Sequence, residues 1–405
     1  MSSRSSLRQR VAVAAVRGVN WLSRVSGRGS GTVSGGTVGS WICPDLLERL
    51  TRDRTVILVS GTNGKTTTTA MTVLGWGGDV TTNSTGANMP AGLVAALVAS
   101  PHDRTVFEVD EAWLDDVVAK TRPRVVALLN LSRDQLDRSN EVRQMAERWR
   151  NCFLHAGAGV VVVANANDPL VVYAALGAQQ VRWCDVPTRW LEDAKSCPRC
   201  TGPLRFLVDS WNCTCGFAKP VVMTSEIEDE LRVGTAHATL QLSVPGQFNQ
   251  ANATLALTAL MVVGVDLGAA VTRVNTLRDV AGRFSLRRWR LHTIRLLLAK
   301  NPAGFDALMT TVAPEPKDLW IAINARVADG RDPSWLYDVA FEQLRGHRVW
   351  CLGDRRLDLA TRLEYAGVDF CVVDGDDDLP VSDDPVSLIA NYTAFNEWLE
   401  RSQPC

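Results

Sequence analysis

Apolar positions along the chain follow two rhythms. Uninterrupted, β-branched runs, "TVILVS" from Thr55, "RTVFEV" from Arg104, "RVVALLNL" from Arg124 and "GVVVVANA" from Gly159, alternate with stretches of helical periodicity. Runs apolar on both faces belong to buried parallel strands, and strands separated by helices predict a doubly wound α/β sheet. A second set, "DLWIAIN", "HRVWCLG" and "VDFCVVD", repeats the alternation later. The expected organisation is therefore an N-terminal segment over 1–45, a parallel-sheet domain over 46–286 and a second, Rossmann-like α/β domain over 287–405.

The first segment has its own pattern. Leu7, Val11, Ala15, Val19 and Leu22 recur at helical spacing, and the first forty residues hold six arginines and no acid. That predicts a basic amphipathic helix, which either packs on the protein's own surface or touches an anionic membrane. The Ser/Gly-rich "SGRGSGTVSGGTVGS" after it reads as a flexible or turn-rich connection.

Composition narrows the function classes. A length of 405 residues with 46% hydrophobic content supports two or three buried cores. A formal charge of −1 argues against a long nucleic acid as partner and favours small phosphorylated ligands at locally built sites. Nothing approaches the roughly 20 apolar residues of a membrane span, and nothing resembles a signal peptide, so a cytoplasmic protein is expected. Of ten cysteines, Cys43, Cys152, Cys184, Cys351, Cys371 and Cys405 are scattered and read as small hydrophobes. Cys197, Cys200, Cys213 and Cys215 lie within nineteen residues and suit structural zinc in a ribbon inserted at about 190–225. The second pair is Cys-x-Cys rather than Cys-x2-Cys, which puts one ligand's position in question.

The first strand runs into "GTNGKTT", a glycine turn that opens a helix. Strand, turn and helix bring backbone N–H groups of Gly61, Thr62, Asn63, Gly64, Lys65, Thr66 and Thr67 toward an anion, and Lys65 adds a point charge for terminal phosphates. The usual phosphate loop has its first glycine two residues earlier, where Val59 stands, so this turn is tighter. The next strand ends in Glu108, Asp110 and Glu111. Glu108 is the expected magnesium ligand, with the Thr66 hydroxyl as its companion, because hard cations take oxygen donors at the carboxyl ends of parallel strands.

Several segments in order resemble the Mur ligase family of ATP-dependent amide-forming enzymes. They are "GTNGKTTT", "TTNSTGANMPAG", "FEVDE", "NLSRDQLDR", "NANDP", "VPGQFNQANATLAL" and "AGRF". Gln135 stands where the family usually has histidine, which puts one metal-site role in doubt. This variant, with "LLLAKNPAGFDALM" and "INARVADGRDPSWLYDVAFE", is similar to one branch, the large subunits of lipid II isoglutaminyl synthase. The resemblance implies ATP and Mg²⁺ as cofactors, a GatD-like glutaminase as partner in a heterodimer, and amidation of the D-glutamate α-carboxylate of a lipid-linked stem peptide. It also implies that Asn252 and Arg283 approach the adenine and phosphates. By the same resemblance an aspartate of "ADGRDPSWLYD", Asp338 first and then Asp332, reaches into the partner's catalytic site. For Asn249 and Asn252 helix capping is the plain alternative, and for Asp332 and Asp329 turn formation; Lys300 and Asn301 either contact phosphate or substrate or form a strand-to-helix turn. Rival functions are a self-contained amino-acid ligase, a zinc-ribbon nucleic-acid-dependent ATPase and a silent scaffold subunit.

Overall fold

The computed structural model describes residues 7–25, 32–83, 86–133, 142–188, 190–222, 224–227, 230–234, 236–280, 282–312, 318–380 and 384–405. Gln135 lies outside them, so the expectation attached to it has no structural counterpart here.

The continuous apolar runs form the centre of a nine-stranded sheet among the described residues. Its parallel strands are β1 (Thr55–Ser60), β2 (Thr81–Thr82), β3 (Arg104–Glu108), β4 (Val125–Leu128), β5 (Val161–Asn165) and β6 (Gln180–Asp185). After β6 comes a small ribbon, β7 (Arg205–Phe206) antiparallel to β8 (Trp211–Asn212). The large sheet then continues with β9 (Thr224–Ile227), β10 (Glu230–Val233) and β11 (Ala236–Thr239). Only β9 joins β6 in parallel; β9 to β11 turn back on one another, an antiparallel extension that the short, partly polar sequences there did not announce.

Strand order is β11-β10-β9-β6-β5-β4-β1-β3-β2. After β1 the chain runs out to the edge at β2, returns through β3 beside β1 and crosses to β4 on the other side, so β1 sits at the switch point where the crevice of an open α/β sheet receives its ligand. Helices cover both faces. The helix Gln247–Val262, buried along nearly its whole length, packs on the helix Lys65–Trp76, where Gly75 leaves room for Leu260.

The second sheet opens with β12 (Phe284–Trp289), a few residues ahead of the boundary expected at 287. It continues with β13 (His292–Leu298), β14 (Asp318–Ala322), β15 (Arg348–Leu352), β16 (Asp369–Val372), β17 (Val386–Ala390) and β18 (Gln403–Pro404), ordered β16-β15-β14-β17-β13-β12-β18. Strands β13 to β17 are parallel, as in a Rossmann-like unit, while β12 and β18 add an antiparallel edge.

At the N-terminus, α1 (Leu7–Val25) is the helix its periodicity predicts, and Ala12 and Val16 are its buried residues. The connection expected after it requires correction: α2 (Thr32–Ile42) is a helix. Its glycines serve close approach rather than flexibility. A Cβ on Gly36 would stand 1.7 Å from the Ala91 carbonyl oxygen, and one on Gly39 would stand 2.4 Å from a Val16 methyl. Any larger residue would separate α2 from both neighbours, which explains glycine despite its helix cost of about 1 kcal/mol.

Candidate active site

The turn between β1 and its helix is built on two glycines in backbone conformations that L side chains rarely adopt, φ 145° at Gly61 and 86° at Gly64. Space is equally restrictive: a Cβ at Gly64 would lie 2.5 Å from the Asn252 side-chain oxygen. Among the described residues no side chain caps the helix that starts at Lys65, so its first amides and its dipole form an anion-binding end. Asn130, just beyond β4, clamps the turn reciprocally: its Oδ1 accepts from the Asn63 N–H and its Nδ2 donates to the Asn63 carbonyl, both at 2.9 Å.

The acidic trio after β3 divides into three roles. Glu108, buried, accepts from the Thr66 hydroxyl at 2.9 Å and faces Asn88 Nδ2 at 3.4 Å. Its backbone is held on both sides by Asn83, which accepts from its N–H and donates to its carbonyl. Asp110 caps a short 3-10 turn through the Ala112 N–H. Glu111 pairs with Lys65, Nζ to Oε2 2.9 Å, and Lys65 also donates to the Gly61 carbonyl at 2.6 Å. Glu111 as the lysine's counter-ion escaped the sequence reading; its position in the trio was the signal available.

From the far side of the crevice, Arg283 brings its guanidinium to the Thr66 hydroxyl, 3.2 and 3.4 Å away. Asn252 and Asn249 lie within the helix Gln247–Val262, whose N-cap is Gly246, so neither is the cap. Asn249 donates to the Pro245 carbonyl and Asn252 faces Asn249 at 3.4 Å. Asn301, fully buried, donates to the Asn63 side chain at 3.1 Å and accepts from the Gly304 N–H, tying the phosphate-type turn to the start of the helix Pro302–Val312. Lys300, Asn252, Arg283 and Lys65 all line one cleft between the two sheets' domains.

The C-terminal aspartates separate. Asp329 is buried and accepts from the Thr393 N–H and hydroxyl, a structural tie. Asp332 accepts from the Ser334 N–H at 2.9 Å, which holds its carboxyl below its ordinary range and starts the 3-10 turn Ser334–Asp338. Asp338 is exposed at the end of that turn, 3.8 Å from Arg133 of the first domain.

The four clustered cysteines converge despite their spacing. Their sulfurs lie within 4.8 Å of one another, with Cys197 to Cys215 at 3.8 Å and Cys200 to Cys213 at 3.4 Å. A tetrahedral thiolate site with metal–sulfur bonds of about 2.3 Å has edges of about 3.8 Å, so this set fits zinc. Backbone hydrogen bonding from Cys215 draws the Cys213 thiol down to about 6. The ribbon docks on the sheet domain through Trp211, whose indole donates to the Ala166 carbonyl at 3.1 Å, and through Phe217 against Tyr173.

Residues 59–188 match the Mur ligase middle domain and residues 298–395 match the MurT ligase C-terminal domain. The chain belongs to the Mur ligase family. Among Mur ligase relatives, the MurT subunit of the glutamine-hydrolyzing lipid II isoglutaminyl synthase of Staphylococcus aureus is 26% identical, covering 91% of this chain and 90% of its own. The corresponding subunit of Streptococcus pneumoniae is 27% identical over 85% and 84%. Solved Mur ligase structures share the fold: a pseudomurein peptide ligase type C from Methanothermus fervidus (TM-score 0.67, 18% identity, covering 88% of this chain and 80% of that one) and MurF of Thermotoga maritima in complex with ADP (TM-score 0.61, 16% identity, 90% and 83%).

Proposed function

We propose that this chain is the ATP-consuming subunit of an amidating ligase. It activates the D-glutamate α-carboxylate of a lipid II stem peptide for attack by ammonia that a GatD-like glutaminase partner releases. A carboxylate resists nucleophiles because it is charged and its oxide leaves poorly. Transfer of the γ-phosphoryl group of ATP to a carboxylate oxygen yields ADP and an acyl phosphate. Ammonia then forms a bond to the carbonyl carbon, phosphate departs with the C–O bond electrons, and a proton is lost to give the amide.

Phosphoryl transfer needs positioning and charge neutralisation more than covalent help. The amides of Gly61 to Thr67 would hold the phosphates, Lys65 and Arg283 would neutralise them, and Asn252 would border the nucleotide. Thr66 and Glu108 offer the oxygen donors that a magnesium ion prefers, and that ion would supply charge compensation between phosphates. Cys197, Cys200, Cys213 and Cys215 would hold zinc as a closed structural site. Asp338, exposed and paired at 3.8 Å with Arg133, would orient a histidine in the partner, in preference to the buried Asp329 and to Asp332, which accepts from the Ser334 N–H.

The observation that carries this reading is the meeting of Glu108, Thr66 and Arg283 around one hydroxyl, with contributions from both sides of the cleft. The subunit naming of relatives that span nine-tenths of the chain supports the glutaminase partnership. Single-turnover phosphoryl transfer with lipid II tests it: Glu108→Gln should slow the step about a hundredfold and raise the magnesium requirement. An unchanged rate would remove Glu108 from the site.

A further inference from the structure

The amphipathic stripe of α1 faces the wrong way for a helix that only braces its own domain. Ala12 and Val16 bury the inward side, while the outward side repeats Leu7, Val11, Ala14, Gly18, Trp21, Leu22 and Val25, all exposed. Leu7 is 78% exposed, Trp21 59% and Val25 68%. At 100° per residue these seven positions share one arc, with Arg10, Arg17 and Arg24 along one border and Arg8 on the other. Those four arginines are exposed as well. At the end of α2, Trp41 adds a second indole, 79% exposed.

Charge identifies the occupant. Six arginines and no acid precede Asp45, so against a whole-chain formal charge of −1 the remainder of the chain carries −7. A surface attracted to α1 is therefore repelled by the rest of the protein, which orients the molecule. A protein partner would place acids opposite the arginine rows. A flat anionic bilayer satisfies the arginine rows and the apolar stripe together, the indoles settling at headgroup depth.

We propose that α1 and α2 form a docking element for anionic lipid bilayers. Its position suits the chemistry, given the function proposed above. Gly36 of α2 packs against the Ala91 carbonyl in the first turn of the helix Pro90–Ala99, and Asn88, just before that turn, faces the Glu108 carboxylate. Docking through this pair holds the Glu108 end of the cleft at the bilayer surface, where the soluble head of a lipid-linked substrate emerges.

Flotation of the full-length chain with phosphatidylglycerol-containing vesicles, and with vesicles of phosphatidylcholine alone, tests this without ATP, so its outcome is independent of catalysis. Partition onto the anionic vesicles should be at least tenfold stronger and weaken with salt. The Trp21→Glu, Leu22→Glu double variant and the Arg10→Gln, Arg17→Gln, Arg24→Gln triple variant should each lose at least tenfold, while melting within a few degrees of the parent. Absent partition, equal partition onto both vesicles, or undiminished partition of both variants overturns the proposal. A double variant that instead dissociates a protein complex in ultracentrifugation, with no lipid binding by the parent, assigns the face to a protein and overturns it too.

Discussion

Lys65 and Glu111 form an ion pair with side chains only 7% and 15% exposed, Nζ 2.9 Å from Oε2. The lysine that should meet phosphate is thus held by a carboxylate, and nucleotide has to compete for it. Glu111→Gln should lower the melting temperature of the nucleotide-free protein, because a buried cation loses its partner. ADP should then restore more stability than it gives the parent, and bind several-fold tighter by calorimetry. Lys65→Ala should weaken ADP at least tenfold and abolish turnover. Unchanged ADP affinity in both variants would place the phosphates elsewhere.

The role proposed for Asp338 separates the glutamine-driven reaction from the ammonia-driven one. With the glutaminase partner present, Asp338→Asn should suppress glutamine-dependent amidation about a hundredfold or more while leaving ammonia-dependent amidation near the parent rate. Asp329→Asn should instead destabilise the fold, since the residue ties the Thr393 helix start. Equal loss with both nitrogen sources in the Asp338 variant would make its role structural.

Asp168 gives a pH signature. Burial pushes its carboxyl up to about 6, with backbone N–H bonds from Leu131, Val171 and Leu170 opposing the shift. A carboxyl raised above its unfolded value of 3.8 stabilises fully below that value and loses its contribution as pH climbs through about 6. Relative to Asp168→Asn, the parent should therefore lose roughly 2–3 kcal/mol of unfolding free energy between about pH 4 and pH 6.5. A flat difference across that window in denaturant titrations would show that Asp168 ionises normally.

The cysteine ribbon should bind one zinc per chain by elemental analysis, and Cys213→Ser should lose it. Chelation should loosen the ribbon around Trp211 without displacing nucleotide, because the ribbon meets the sheet domain at Ala166 and Tyr173 rather than at the turn of Gly61 to Thr67. Loss of ADP binding on chelation would contradict that separation.

What the sequence disclosed was local. The run from Thr55, the glycine turn and the strand ending at Glu108 could each be read from consecutive residues. Arg283 meets Thr66 across 217 residues, and Asn301 meets Asn63 across 238, contacts that only the assembled domains create. Family resemblance supplied Arg283; Asn301 entered the sequence reading as a choice between phosphate contact and turn, and its tie to Asn63 required the fold. The hairpin of β12 and β13 went unread because its turn, Arg290–Leu291, carries no glycine or asparagine although Arg290 adopts φ 51°. Glycine misled at α2, where counting suggested a linker and spacing at 35, 36 and 39 in fact built a close helix contact. Cys-x-Cys spacing misled less: Gly216, at φ 84°, follows the second pair and lets the chain turn so that all four sulfurs converge.

The most direct test of the account weighs the product. The purified chain is incubated with ATP, Mg²⁺ and lipid II, with either ammonia or a glutaminase and glutamine, and the lipid product is examined by mass spectrometry. ADP should accumulate in step with a product in which one hydroxyl has become an amino group, at the D-glutamate α-carboxyl. A product heavier by a whole amino acid, or no ATP consumed with either nitrogen source, would contradict it.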